Sequence, residues 1–512
     1  MTAPVDLVTR SLREETAVTF EARVDDQAAF LRDRLAAGDL ASADFAIGLE
    51  MEVYAVRETD GDLQLRAVPD AVFDAAANLS KELGRHNVEV NTDPVPFQPG
   101  GFDSQRTDIA NALSSAREAL GQADDLVLDA MWTRSPAEGS KAYLTAHETR
   151  DEVTVATNMR ADPRYVAIDN EVLQRVGGAV PLRVPGARRS FPTILFESLA
   201  TSIQPHLQLP DVSAVPAYFN AAIRTLGPLL ALSSNSPFLP PDLYDDGLDP
   251  ERLVAATPHE LRVPVFEQSV NHSDRPKVRV PDDIETTADV IDRVVADDRY
   301  APFLAEWIDD EQQEDNFAAA FPEFEHKRGT YWRWVRAVIG GDPVPDAGDG
   351  RSIRIEYRPL PTQPTVRDVI ALQALTVGLL RGLVAAEHPI QELAWETARE
   401  NFYRAVADGL DAELAWIGAD GHHLTDTEAL FDDVFEHARI GLTRQGFDAD
   451  RIEYLLAPFE ARVETRTTPS QWKKTRVRER LSKGASLDTA IGAMQEEYVR
   501  KCRYSNSFAT WY

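Results

Sequence analysis

Cysteine is almost absent. Cys502, in "VRKCRYSNS", is the one cysteine in 512 residues, which excludes an internal disulfide and a cysteine-cluster metal site. Positive charge is scarce too. The 53 Lys and Arg stand against 84 Asp and Glu, a formal charge of -31, and overall repulsion excludes a surface built for duplex phosphate. No apolar run approaches the roughly 20 residues that cross a bilayer. The first residues, "MTAPVDLVTRSLREETAVTF", lack the basic start, apolar stretch and small-residue cleavage site of an export signal. The expectation is a cytoplasmic protein with no nucleic-acid and no membrane partner. Also missing are "GxxxxGK[ST]" and a convincing "GxGxxG", so neither of the usual phosphate cradles at a helix N-terminus is available.

What is present fits a large globular chain: 43% hydrophobic residues and 8 Trp. Acid is spread along it in runs such as "YDDGLDPE" and "VVADDRYAPFLAEWIDDEQQEDN", the solvated surface that halophilic proteins use. The first 40 residues space Val18, Phe20, Ala22, Ala29, Phe30 and Leu35 with helical period. Strand patterns follow near 45–56, 62–68, 85–92, 152–157, 201–209 and 351–358, with helices near 105–121 and 216–231. This order is not a regular βαβ alternation. It predicts an α+β fold with an antiparallel or mixed sheet and helices to one side. The Pro- and Asp-rich stretch 237–300 reads as an irregular surface excursion, and nearly everything from Val366 onward reads as helix. The implied division is an N-terminal helical segment (1–40), a catalytic unit (41–385) and a helical C-terminal part (386–512) packed on it.

The informative stretch is "FAIGLEMEVYAV". Side chains alternate along a strand, so Glu50 and Glu52 share one face while Ile47, Leu49, Met51 and Val53 share the other. The same scheme returns in "GRHNVEVNTDP", with Glu89 and Asn91 opposite Val88 and Val90. In "RSIRIEYRPL" the polar face carries Arg354, Glu356 and Arg358, and in "SIQPHLQLP" it carries Gln204, His206 and Gln208. Pro205 within that last segment implies an edge or a bulge. A half-exposed sheet is the commonest cause of alternation. These faces, however, hold acids with His, Gln and Arg rather than the Thr and Lys of an ordinary wet surface. If they converge, carboxylates about 4 Å apart repel by roughly 4 kcal/mol per pair at an effective dielectric near 20. Divalent cations would neutralise them, and an oxygen-rich set suits Mg²⁺ or Mn²⁺. Magnesium keeps open positions for phosphate oxygens, so such a cluster would be a nucleotide platform. Arg354 or Arg358 would then bind a transferring phosphoryl group.

Taken in order, "GLEME", "VEVNTDP", "SIQPHLQLPD", "LGPLLALSSNSPFL", "RGTYWRWVR", "IRIEYRPLPTQPTVRDVIALQALTVGLL" and "ENFYRAVADGLDAEL" resemble glutamate-cysteine ligase family 2, over about residues 45 to 475. These are carboxylate-amine ligases related in fold to glutamine synthetase. The resemblance implies a curved, mainly antiparallel sheet forming a funnel, with helices outside. It implies ATP with Mg²⁺ or Mn²⁺, phosphorylation of a substrate carboxylate, and attack by an amine on the acyl phosphate. Glutamate and cysteine are the default pair, a step of glutathione biosynthesis. Carried over by position, Glu50, Glu52, Glu89 and Glu356 look like metal ligands and His206 a further metal or phosphate contact. Arg358, with Glu356, looks catalytic, and His206, Gln208 and Arg354 are nucleotide-binding candidates. The expected partners are small molecules, with a homo-oligomer possible. The alternatives are another acid and amine, or a non-catalytic nucleotide-binding relative.

One departure stands out: relatives often carry a second histidine where Gln204 stands. Arg333 and Trp332 are placed in the core rather than on substrate, as buried aromatics usually are. His422 and His423 read as turn residues, Cys502 as an incidental thiol, His147 as an isolated residue and His86 as a surface or supporting residue.

Overall fold

The computed structural model describes residues 3–59, 61–307, 317–341, 343–344, 351–424 and 426–511; the acidic residues 308–316 therefore lie outside the described residues. At its centre is a ten-stranded sheet. Its main path uses β1 (Ala46–Thr59), β2 (Leu79–Lys81), β3 (Asn87–Asn91), β4 (Ser202–Gln208), β5 (Val335–Ile339) and β6 (Ile353–Tyr357) in the order β5-β6-β4-β1-β3-β2. Every pair is antiparallel. Short strands at Asp62–Leu65, Val95–Pro96 and Asp124–Val127 add to β1, and Leu360–Pro361 adds to β4. β1 alone serves five partners along its length. Twist accumulates by roughly 20–25° per strand, and the sheet curls into a half-barrel.

The alternation seen in the sequence is the reason for the layers. Ile47, Leu49, Met51 and Val53, with Val88, Val90, Ile203, Leu207, Ile353 and Ile355, are buried on one face. Helices α2 (Gly101–Leu120), α3 (Val215–Ser233) and α4 (Val366–Ala385) cover that face through residues such as Ile109, Leu113, Leu226, Leu230, Leu372 and Leu375. Two buried amides tie helix to strand: Gln105 Nε2 donates to the Ile47 carbonyl at 3.0 Å and Gln373 Nε2 to the Gly48 carbonyl at 3.0 Å. The polar face is left open to the interior of the curl.

Several expectations change. The leading segment is two helices, Ala3–Ser11 and α1 (Glu14–Ala37), and α1 is joined to the helix Pro322–Gly329 by Arg23 to Glu323 (2.7 Å) and Lys327 to Glu21 (2.7 Å). The stretch 237–300 is not an irregular excursion. It holds helices at Pro250–Ala256, Arg262–Val270 and Asp289–Val295, the first begun by Asp249 accepting from the Glu251 N–H. One helix, α4, does have the length and apolarity to cross a bilayer, contrary to the sequence reading, but 83% of its most apolar window is buried in the fold. A helix apolar all round is what a core position requires. His86 is fully buried, with Nδ1 3.0 Å from the Tyr143 hydroxyl and Nε2 2.8 Å from the Ser198 carbonyl. Pro205 lies in an interior strand. Opposite it, Leu49 turns both backbone groups toward Thr92, so the missing N–H of Pro205 faces the gap between β6 and Leu360–Pro361.

Beyond α4 the chain is almost wholly helical, with one small hairpin, Trp416–Ile417 against His423–Leu424, whose turn holds His422. Here α5 (Thr427–Arg444) lies against α4 closely enough for backbones to touch. A Cβ at Gly382 would collide with the His437 carbonyl, and one at Gly441 with the Gly378 carbonyl. Because the obstacle is backbone, it cannot swing aside. Gly382→Ala is expected to destabilise the protein by about 1–3 kcal/mol or more, read as a lower midpoint in denaturant unfolding; an unchanged midpoint would mean the helices are not in contact.

Candidate active site

In an antiparallel pair, residues directly opposite share a face. Glu52 is opposite Glu89, and Ser80 of β2 is opposite Glu89 on its far side. Glu50 is opposite Asn91 on one edge and Gln204 on the other. His206 is opposite Gly48 and Glu356, Gln208 is opposite Ala46 and Arg354, and Glu356 is opposite Arg336. Four strands that are far apart in sequence thus bring every acidic candidate onto the concave face of one sheet. Gly48 lies against the His206 ring: a Cβ there would sit 3.5 Å from it, in ordinary van der Waals contact.

The acids fall into two groups. In the first, ligand oxygens of Glu52, Glu89 and Glu82 lie within 4.8 Å of one another. Glu52 accepts from the Ser202 N–H at 2.8 Å, and Glu89 accepts from Ser80 Oγ and Asn91 Nδ2, both at 2.9 Å. Burial, then the charge of Glu89 and of Glu197, pushes Glu52 up to about 8. Burial, then Glu52 and Glu197, pushes Glu82 to about 8, and Glu89 is raised well above the ordinary range by burial, Glu82 and Glu50. No cationic side chain pairs with these three among the described ion pairs. With its buried, crowded oxygens the set fits a hard divalent cation.

The second group is already balanced. Arg336 Nε and Arg358 Nη1 donate to Glu356 Oε1 at 2.9 and 2.6 Å. Burial would raise Glu356, but Arg336, Arg358 and His206 hold it well below the usual carboxylate range. Its other oxygen has no hydrogen-bond partner and lies 3.8 Å from His206 Nε2, which is also unpartnered and 3.6 Å from Glu50 Oε1. Burial pushes His206 below its ordinary value in spite of Glu50 and Glu356. Glu50 and Glu356 thus flank the unpartnered Nε2 of His206. Gln204, standing where a histidine is usual, accepts from Arg358 Nη1 at 2.5 Å and so helps to hold that arginine.

Beside this group a cavity of about 500 Å³ opens, lined by Glu50, His206, Gln208, Arg354 and the turn Gly340–Gly341. Arg354 donates to the Gly340 carbonyl at 3.3 Å, and both glycines have positive φ, 78° and 116°, which keeps the wall of the cavity free of side chains. The three residues taken from the sequence as nucleotide candidates all line this space.

Sequence reasoning missed four charged residues here. Glu82 lies just past the end of β2, a strand that the sequence reading did not place. Glu197 lies in the short helical turn Ile194–Leu199, where no alternation exists to reveal it; burial pushes it to about 7. Arg336 and Arg328 are both within "RGTYWRWVR", the fragment from which Arg333 and Trp332 were singled out. Arg333 is buried and bonds Asp297 at 2.6 Å, and Trp332 is half-buried, packed edge-on against Tyr300 and Phe266.

The sequence model of glutamate-cysteine ligase family 2 (GCS2) matches residues 46–502. No curated protein matches the chain by sequence. Among solved structures, the glutamate–cysteine ligase of Francisella tularensis in complex with AMP is 11% identical, with a TM-score of 0.50 over 91% of this chain and 90% of that one; it shares the fold. The bifunctional glutathione synthetase of Pasteurella multocida is 14% identical with a TM-score of 0.49, over 93% of this chain and 55% of that one. The Pup ligase PafA, in complex with Pup, is 12% identical with a TM-score of 0.39, over 88% and 72%.

A carboxyl whose folded value is raised from 4.5 to about 8 contributes stability that is fully present below pH 4.5 and lost as pH rises toward 8. In chelator, the melting temperature is therefore expected to fall between pH 5 and pH 8 by roughly 3 °C or more, the shift about 1 kcal/mol produces in a large domain. Millimolar Mg²⁺ should restore it at pH 8 and have little effect at pH 5; equal Mg²⁺ effects at both values would remove the acids from cation binding.

Proposed function

The chain belongs to glutamate-cysteine ligase family 2 and is a carboxylate-amine ligase; from that premise we propose that it activates its acid with ATP, as an acyl phosphate, and that the acid and amine are glutamate and cysteine. The product would be γ-glutamylcysteine, and the setting a cytoplasm that supplies ATP and free amino acids. The observation that carries this reading is the register that sets Glu52 against Glu89 with Glu82 beside them, a carboxylate cluster lacking a counter-charge.

In the proposed arrangement Glu52, Glu82 and Glu89 hold one Mg²⁺ or Mn²⁺, and Glu50, His206 and Glu356 a second. Bound there, the cations would neutralise phosphate charge. The chain's own residues do the rest by position. Glu356 keeps Arg336 and Arg358 side by side, and two guanidiniums in one place suit the non-bridging oxygens of a transferring phosphoryl group. Arg358 Nε is buried without a partner, a donor in reserve. Gln208 and Arg354 border the cavity that would take the nucleoside, and AMP in the F. tularensis structure supports a nucleotide in this fold. No protein nucleophile is required: the substrate carboxylate attacks the terminal phosphorus, ADP leaves, and the amine then displaces phosphate.

With Mg²⁺ and ATP, the purified protein is expected to release ADP and phosphate when acid and amine are both supplied, and slowly or not at all with the acid alone. AMP with pyrophosphate would overturn the acyl-phosphate route, whereas turnover only with another amino-acid pair would overturn the choice of glutamate and cysteine and leave the ligase standing. Glu52→Gln is expected to lower kcat by about 100-fold or more while raising the melting temperature of the metal-free protein at pH 8, because one of three repelling charges is gone. Full activity in that variant would take Glu52 out of the site.

A further inference from the structure

A second cluster of metal-ligating side chains lies away from the sheet. His388 follows the end of α4, and Asp433 and His437 are one turn apart on α5, on the same face of that helix. One ligand atom from each of the three lies within 4.8 Å of the others. The place is remote from the acidic face: from Gln373, which bonds Gly48 beneath the active sheet, to the helix end at Ala385 is about 18 Å along the axis at 1.5 Å per residue, and His388 lies beyond it.

The local backbone builds this cluster. The glycine contact between α4 and α5 brings the end of one helix over the turn of the other that carries Asp433 and His437. At the end of α4 the chain turns through Glu387, a non-glycine residue at φ 52°, and the His388 N–H closes the helix on the Leu383 carbonyl at 2.9 Å. That conformation costs roughly 1 kcal/mol or more for a residue with a side chain, and it delivers His388 to a buried position. The side chain of His388 is wholly buried, and its Nδ1 has no hydrogen-bond partner. Nε2 lies 3.2 Å from Asp433 Oδ2, and the ring stands edge-on to His437 with centroids 4.4 Å apart.

The other two residues have the support that ligands usually have. His437 Nδ1 donates to the Asp433 carbonyl at 2.8 Å, which puts the lone pair on Nε2. Asp433 Oδ2 accepts from Trp416 Nε1 at 2.7 Å, which fixes the carboxylate. The empty Nδ1 of His388 costs about 1–3 kcal/mol as it stands.

We propose that His388, Asp433 and His437 bind one zinc-type divalent cation, with water in the fourth position. Two imidazoles and one carboxylate are the donor set of zinc rather than of magnesium. Donors around a tetrahedral zinc stand roughly 3.3 Å apart, so binding draws the three inward and clamps the Trp416 hairpin and α5 to the end of α4. This site is independent of the active-site reading.

The test uses the full chain, stripped with chelator, returned to excess Mg²⁺, and titrated with Zn²⁺ alone. About one equivalent is expected to remain after gel filtration, and Co²⁺ in its place should give the intense visible absorption of a tetrahedral nitrogen-ligated ion. Glu52→Gln should retain both signals, and the double variant His388→Gln/His437→Gln should lose both. Absence of retained Zn²⁺ in the wild type overturns the proposal, as does retention by the histidine variant with loss in Glu52→Gln, which would assign the ion to the acidic face. Should the histidine variant not fold, the Co²⁺ spectrum of the wild type decides: a tetrahedral band supports the site, and an octahedral spectrum overturns it.

Discussion

Repulsion between carboxylates on one face of a sheet is the constraint around which this protein is organised. Strand pairing puts Glu52 and Glu89 side by side, and Glu82 joins them from the end of β2. Neighbouring carboxylates at such separations oppose one another by several kcal/mol in a partly buried setting. The strands cannot slip to relieve it, because a shift of one residue would carry Ile47, Leu49, Met51 and Val53 out of the core and into the site. The apolar face therefore enforces the arrangement of the acidic one. The three helices that seal it, α2, α3 and α4, are as much a part of the site as the strands are.

Within the site, charge is balanced on one side only. Glu356 has two arginines on one oxygen and remains ionised, whereas Glu52, Glu82 and Glu89 have no such partners and are driven toward the protonated state. That contrast separates two kinds of work. The balanced half orients guanidiniums, and the unbalanced half offers oxygens. Gln204 belongs to the first: by accepting from Arg358 it replaces a potential ligand with a neutral anchor.

The C-terminal helices are joined to this framework by buried polar bonds as well as by apolar contact. Lys473 donates to Asp129, and Gln495 Nε2 donates to Asp129 Oδ2 at 2.7 Å and to the Tyr54 hydroxyl at 2.9 Å, so the helices Pro469–Leu481 and Leu487–Tyr504 meet at Asp129, which also accepts from Tyr54 of β1 at 3.2 Å. Buried polar networks of this kind favour one docking geometry, since breaking the Lys473–Asp129 pair would strand buried charge. The same strand thus carries acids to the site at one end and anchors the distal helices at the other.

Period-two alternation was enough to read β1, β3, β4 and β6 and to choose the acidic side of each, because the sheet period is a local property of the chain. It also gave the helices around Ile109 and Leu226, and the apolar α4 declared itself a helix, though not its buried place. Glu197 and Glu82 escaped because one lies in an irregular turn and the other past the end of a strand, where periodicity stops. Arg336 escaped because its neighbours Trp332 and Arg333 looked more informative. His388 carried no signal at all, since what brings it to Asp433 and His437 is a left-handed turn and a glycine contact between helices far apart in the chain. The sequence by itself determined which side chains share a face of each strand. Which strands lie next to one another, and hence which charges meet, was decided only by tertiary pairing, because hydrogen bonds between strands are identical from residue to residue and carry no label in the chain.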